Sequence, residues 1–558
     1  MKFIGKILLT LLAIIIALVI VAYVIAQTTW GARQISAWVN ENTQYRLSLG
    51  KIHHDIREPS EVILNNVTLA TDGQPPFLRA EKVSLSLGIR QFTDPKHFDS
   101  VTLENGSLSL SAPPKALLPI QAESLRLANM QLQQNDSQQK LNASQVNGYI
   151  SPWQPTAGQI LGNNNQFQFS AGKVLINDVP AQNVLLQGSF KQGLLTINRA
   201  GADIAQGQMT SDGVRKADGS WQINNLRLGN IHWQTNKSID AFFAPLEQLP
   251  TVTFGKVSVT DAKLEGAGWA LSDLDAELDG ITWSKGDWQS EKGTIAFNAN
   301  DIVVGNVHFV EPIFSADLSN AGVAIRQLST RWEGSLLRAS GNWHRNDKRL
   351  TIDDMTIVGL EYTLPQNWRG IWQTPLPAWL NDVIVTKFSG SRNLLVDINP
   401  DFPFQITALD GFGSNIRLVH NRLLGLWDGQ ATFNASGATF NKVDLQRLSI
   451  TLNANDQQIA VSELSALSQK GILEASASLN QTGRQLTLDM KGQAVPANQL
   501  VEWGWPALPL SGDVNMQLGL QGVLTGEAPL KPSVNATLNV QSASGQQLTQ
   551  KMVNGVVN

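Results

Sequence analysis

Hydrophobic residues follow two different periods along this chain. From Ile7 to Ala26 they form one unbroken run, ILLTLLAIIIALVIVAYVIA, with Thr10 and Tyr23 as its only polar side chains and no charge. As a helix rising ~1.5 Å per residue the run would extend about 30 Å, the hydrocarbon thickness of a bilayer. A helix-period segment follows from Gly31 to Asn40. Its Ile35, Trp38 and Val39 predict a short amphipathic helix near the membrane surface. From Tyr45 onward the pattern becomes alternation. Tyr45, Leu47 and Leu49 alternate with polar residues, and Val83, Leu85, Leu87 and Ile89 are separated by Ser84, Ser86 and Gly88. This is the period of a strand with one apolar face, and it predicts a mainly β protein.

A loose octad recurs within the alternation: apolar, any, apolar, any, Asn or Asp, small or apolar, any, apolar. It begins at Val62, Val101, Leu125, Val174, Leu226, Val257, Ile302 and Leu350, at irregular intervals. The irregular spacing argues against a strict solenoid and for one supersecondary unit used repeatedly. The first apolar pair has one parity and the second pair the other, so an unbroken strand would point them to opposite faces. A bend or bulge at the fifth position returns both to one face. Asn and Asp suit that position because they tolerate left-handed backbone. The candidate bend positions are therefore Asn66, Asn105, Asn129, Asp178, Asn230, Asp261, Asn306 and Asp354.

Helix signals are sparse. Ser238–Leu246, the region around Trp379 and Pro496–Trp503 read as short helices near prolines, and the polar stretch Gln131–Asn147 reads as a loop. Lys2 and Lys6 precede the hydrophobic run, which places the N-terminus in the cytoplasm and the bulk across the membrane. A cleavable signal peptide would have an apolar region of about 7–15 residues, shorter than this one, so a retained single-pass anchor is expected.

Composition narrows the chemistry. Lys and Arg number 42 against 46 Asp and Glu, a net charge of −4, and charged residues make up 16% of the chain. That balance provides no basic surface for nucleic acid. Cysteine is absent, which excludes disulfides, thiolate metal sites and a cysteine nucleophile. The seven histidines cluster only at His53-His54, neighbours that a strand would point to opposite faces. Gly411-Phe412-Gly413 lacks the third glycine of a dinucleotide fingerprint and reads as a hairpin turn, and Ser170–Lys173 reads as a turn between strands. No catalytic, metal or cofactor-binding residue is assigned, and the protein is expected not to be an enzyme.

The segments QTTWGARQISAWVNENTQYRLSLGKI, EVILNNVTLATDGQPPFLRAEKVSLSLGI, ISPWQPTAGQILG, LEYTLPQNW to LPAWLND, RNLLVDINPDFPFQITALDGFG and VEWGWPALPLSGDVNMQLGLQG, in that order, resemble bacterial AsmA-like proteins over essentially the whole chain. The resemblance implies an elongated, curved antiparallel sheet folded lengthwise into a hydrophobic groove, shared with the bridge-like lipid carriers of eukaryotes. It also implies an inner-membrane anchor, a periplasmic body, and a role in moving phospholipid toward the outer membrane. The implied division is a cytoplasmic segment 1–6, a transmembrane helix 7–26, a membrane-proximal helix and first strand 27–50, and a periplasmic β-groove region 51–558. The implied partners are the inner-membrane bilayer, a phospholipid ligand and an unidentified envelope protein. Val83, Leu85, Leu87 and Ile89, the cleanest alternation, become candidates for lining the groove. The competing expectation is a non-catalytic scaffold affecting outer-membrane protein assembly or targeting, with exposed strand edges pairing to clients.

Overall fold

Alternation on this scale folds into strand: the computed structural model has 65% of its residues in strands and 10% in helices, which makes the protein mainly β. It describes residues 2–111, 120–135, 140–177, 179–371, 374–526 and 528–557. The chain divides into two compact units. The first holds Met1–Asn236, Asp240–Glu265 and Thr282–Asp287, and the second Lys237–Ile239, Gly266–Ile281 and Trp288–Asn558.

The first unit begins with helix α1, Lys2–Ala26, which contains the whole apolar run, and helix α2, Thr29–Asn42. The pair is bent by 79°. Thr28 caps α2, its hydroxyl accepting from the Gly31 amide. A Cβ on Gly31 would meet the Ala26 carbonyl oxygen at 2.4 Å, so the bend requires a glycine there. Among the described residues no single helix is long and apolar enough to cross a membrane; the bent pair Leu12–Ala26 and Thr29–Asn42 meets that criterion together. The Tyr23 hydroxyl contacts His54 Nδ1 at 2.7 Å and donates to the His54 carbonyl at 3.0 Å, tying the end of α1 to the strand Lys51–His54.

Strand pairing then runs largely in sequence order. Tyr45–Ser48 and Lys51–His54 lie on Glu61–Thr71, which pairs antiparallel with Leu78–Ser86, and that with His97–Ser109. The sheet is not antiparallel throughout. His97–Ser109 pairs parallel with Gln121–Asn135, and Trp221–Gly229 pairs parallel with Val252–Gly266. In the second unit Arg349–Val358 pairs parallel with Asp382–Asp397. Each parallel step needs a crossover rather than a hairpin. The crossovers to Val252–Gly266 and Asp382–Asp397 each carry a short helix: α3, Ile239–Phe243, within the expected Ser238–Leu246, and α4, Trp368–Ile371.

Several local expectations are corrected. The Trp379 region forms turns rather than helix, because Pro375 and Pro377 remove donors and the Trp379 carbonyl accepts from Trp343 Nε1. The described parts of Gln131–Asn147, residues 131–135 and 140–147, are not loop but belong to the facing strands Gln121–Asn135 and Lys140–Ser151. There Gln131, Gln133, Asn142, Gln145 and Asn147 occupy exposed positions, which polarity alone reads as loop. Gly411-Phe412-Gly413 lies inside the strand Phe404–His420, where a Cβ on Gly411 would meet Phe433 at 2.6 Å. Ser170–Lys173 lies inside Asn164–Ile176. Near Pro496–Trp503, helix α5 covers Gln499–Glu502.

Candidate functional site

Five of the candidate bend positions, Asn66, Asn105, Asn129, Asn230 and Asp261, have left-handed backbone with φ of 50–54°. Around three of them the buried parity changes. Val101 and Leu103 are buried before Asn105 and Leu108 after it; Leu125 and Leu127 before Asn129, Met130 and Leu132 after; Val257 before Asp261, Ala262 after. Asn105 and Asn129 meet across the parallel pair, the Asn129 amide donating to Asn105 Oδ1 at 2.9 Å. Asn306 and Asp354 behave differently. Asn306 sits in the turn between Asp301–Val304 and Val307–Ser319, where Gly305 takes the positive φ. Asp354 adjoins a bulge, with Ser340 opposite Asp354 but Gly341 opposite Ile352, and no left-handed residue. That extra residue reverses parity without a left-handed turn. Asp178 lies outside the described residues; its neighbour Asn177 has φ 48°. Gln145, a position alternation did not mark, has φ 56° between buried Ala143 and Val146.

The candidate lining splits. Val83 and Leu85 are in the strand Leu78–Ser86, which ends before Leu87. Leu87 lies outside the strand, its amide donating to the Ser60 carbonyl, and Ile89 opens a 3₁₀ turn, Ile89–Phe92, where it is 89% exposed. A Cβ on Gly88 would lie 2.0 Å from the Asp99 carboxylate, so only glycine fits between the end of the strand and that turn. Ser84, expected to face away, is itself buried.

What the sheet brings together is larger than this one strand. In the first unit, pairing register places Leu85 beside Val62 and Val101, then continues through Leu125, Ile150 and Phe167. The row reaches Ile223 and Phe254 with Gly188, Ile197 and Gly213 between. In the second unit a row starts at Ala276 and runs through Phe297, Phe314, Leu328 and Ala339 to Met355 and Phe388. It proceeds through Gly413, Ala431, Leu452, Val461 and Ala477 to Leu488, and ends on Leu520, Ala536 and Met552. Every position is apolar or glycine, and registered partners share a face. Phe297 and Phe314 stack with centroids 5.2 Å apart. From Phe297 to Phe388 the side chains are only half-buried, Met355 and Phe388 packing against the buried Val385, Ile416 and Ala431.

Leu520 and Met552 also border a cavity of about 680 Å³ inside the second unit. Its walls include Phe404, Leu500, Trp503, Trp505 and Leu530, with Arg369, Asp397, Asp401 and Lys531 among its polar residues. Elsewhere, burial raises the Tyr45 phenol, and hydrogen bonds from the Ser220 hydroxyl and amide hold the exposed Asp218 carboxyl low within a turn. Among the described residues no three His, Asp or Glu side chains are grouped to hold a metal ion. Sequence reasoning missed the cavity because its walls come from segments far apart in the chain; its tryptophans were the available signal.

The whole chain, 558 residues, is 47% identical to the AsmA family protein YicH of Escherichia coli (strain K12), of which it covers 98%. The chain belongs to the AsmA family. No family model matches it. The order of segments that the AsmA likeness rests on therefore holds from the hydrophobic run to the final strands.

Proposed function

We propose that this AsmA-family protein is anchored in the inner membrane by its N-terminal helices, holds phospholipid acyl chains in a hydrophobic groove of its periplasmic sheet, and contributes to phospholipid transfer toward the outer membrane without catalysis. The observation that carries this reading is the unbroken apolar row from Ala276 to Met552, half-buried between Phe297 and Phe388. Water covers such a face at a cost, while each methylene shielded on it is worth about 0.8 kcal/mol, so a chain of a dozen or more methylenes gains on the order of 10 kcal/mol. A row without a polar interruption lets hydrocarbon advance from strand to strand without facing water. The bent helical pair and family membership support the anchor; Tyr23 bonded to His54 would hold the first strands close to the bilayer.

A photoreactive residue at Met355 tests the reading. Illumination of cells should attach phospholipid there but not at Thr356, whose hydroxyl meets Ser389 on the opposite face. Capture of outer-membrane proteins at Met355 in place of lipid would support the scaffold instead. A reporter active only in the periplasm, fused after residue 558, should be active, with the protein resisting carbonate extraction.

A further inference from the structure

We infer that the cavity at the end of the second unit's apolar row is a terminal phospholipid site, one acyl chain inside and the lipid phosphate at Arg369. This rests on the proposed lipid path and names where a lipid stops on it.

The walls are hydrocarbon by construction. Each neighbouring indole has its polar handle bonded into the protein: Trp368 Nε1 donates to Asp397 at 3.1 Å, Trp503 Nε1 to the Phe440 carbonyl at 3.0 Å, and Trp505 Nε1 to Gln550 at 2.7 Å. Only ring surfaces are left to face the cavity. Leu500 and Val534 close it with almost no exposure. A volume of about 680 Å³ lies within the 300–1,000 Å³ typical of small-ligand sites.

The polar residues select the head. The buried Asp397 carboxylate is already occupied by the Trp368 indole and the Asn399 amide. Lys531 is partly committed to the Gly504 carbonyl at 3.2 Å. Half-buried Arg369 has no ion pair among the described residues. A guanidinium beside an apolar cavity is suited to a phosphodiester, which it can hold with two parallel hydrogen bonds.

The test uses the full chain in cells, with a photoreactive residue at Leu530 or, separately, at Met355, and adduct masses read by mass spectrometry. Leu530 should capture phospholipid. Arg369→Glu should reduce capture at Leu530 about ten-fold and leave capture at Met355 unchanged, while Arg369→Lys should retain most of it. Lipid at Met355 but none at Leu530 would overturn the terminal site and spare the path; lipid at neither would overturn both. Adducts of free fatty acid only, or capture at Leu530 indifferent to Arg369→Glu, would overturn the phosphate assignment.

Discussion

The strands from Glu61 to Ile176 and those from Gly293 to Val358 carry the same alternation but occupy different surroundings. In the first group Val101, Leu125, Met130 and Ile150 are at most 3% exposed. Ala32 and Val39 of α2, with Trp153 and Ile160 from the connection after Ser151, pack into the same cluster and make the apolar face a core. In the second group Phe297, Phe314 and Leu328 are half-buried and belong to none of the three hydrophobic clusters. An alternating strand specifies which face is apolar; a second layer decides whether that face becomes a sealed interior or remains open to a ligand.

The largest contrast should come from inserting a charge. Leu125→Asp places an unpaired carboxylate in the sealed cluster and should prevent accumulation of folded protein. Leu328→Asp on the open face should leave a folded chain, read by circular dichroism and protease resistance, while abolishing lipid capture at Met355. Equal loss of fold in both would erase the distinction. Truncation should show the same order more gently. Leu125→Ala should cost about 2–5 kcal/mol in denaturant unfolding, including the cavity term. Leu328→Ala, half-exposed already, should cost roughly 1 kcal/mol.

Smaller effects separate the devices that reverse parity. Asn129→Ala puts alanine where φ is 53° and removes the bond to Asn105, so a loss of about 1–2 kcal/mol is expected, with Asn129→Gly milder. Asp354→Ala, at a bulge with ordinary φ, should change stability by less than about 1 kcal/mol, losing an exposed 3.7 Å pairing with Lys387 and a 3.4 Å hydrogen bond from the Thr356 hydroxyl. The smallest effect belongs to Phe92→Ser. This side chain is 90% exposed and should alter unfolding by no more than about 0.5 kcal/mol.

Much of the fold was legible from local pattern. The apolar run, the strand period and the Asn or Asp octads are all nearest-neighbour features, and a left-handed residue at Asn105 or Asn129 follows from side-chain parity together with the intrinsic tolerance of asparagine. The same reasoning failed where local signals compete. At Leu87 and Ile89 the apolar period continued, yet the strand ended at Ser86 and the chain turned into the 3₁₀ segment Ile89–Phe92. Across Gln131–Asn147 polarity suggested a loop, yet residues 131–135 and 140–147 are held in the sheet by pairing on both sides.

By itself the sequence determined that the chain would be mainly strand with one apolar side, preceded by an apolar helix, because periodicity is written into consecutive residues. Tertiary structure alone decided that His97–Ser109 would take a parallel neighbour, that Leu125 would be sealed while Leu328 stayed half-open, and that Arg369 would share a cavity with Leu530 and Met552. Those outcomes depend on which segments meet across long stretches of chain, and the contacts that settle them have no counterpart in the spacing of neighbouring residues.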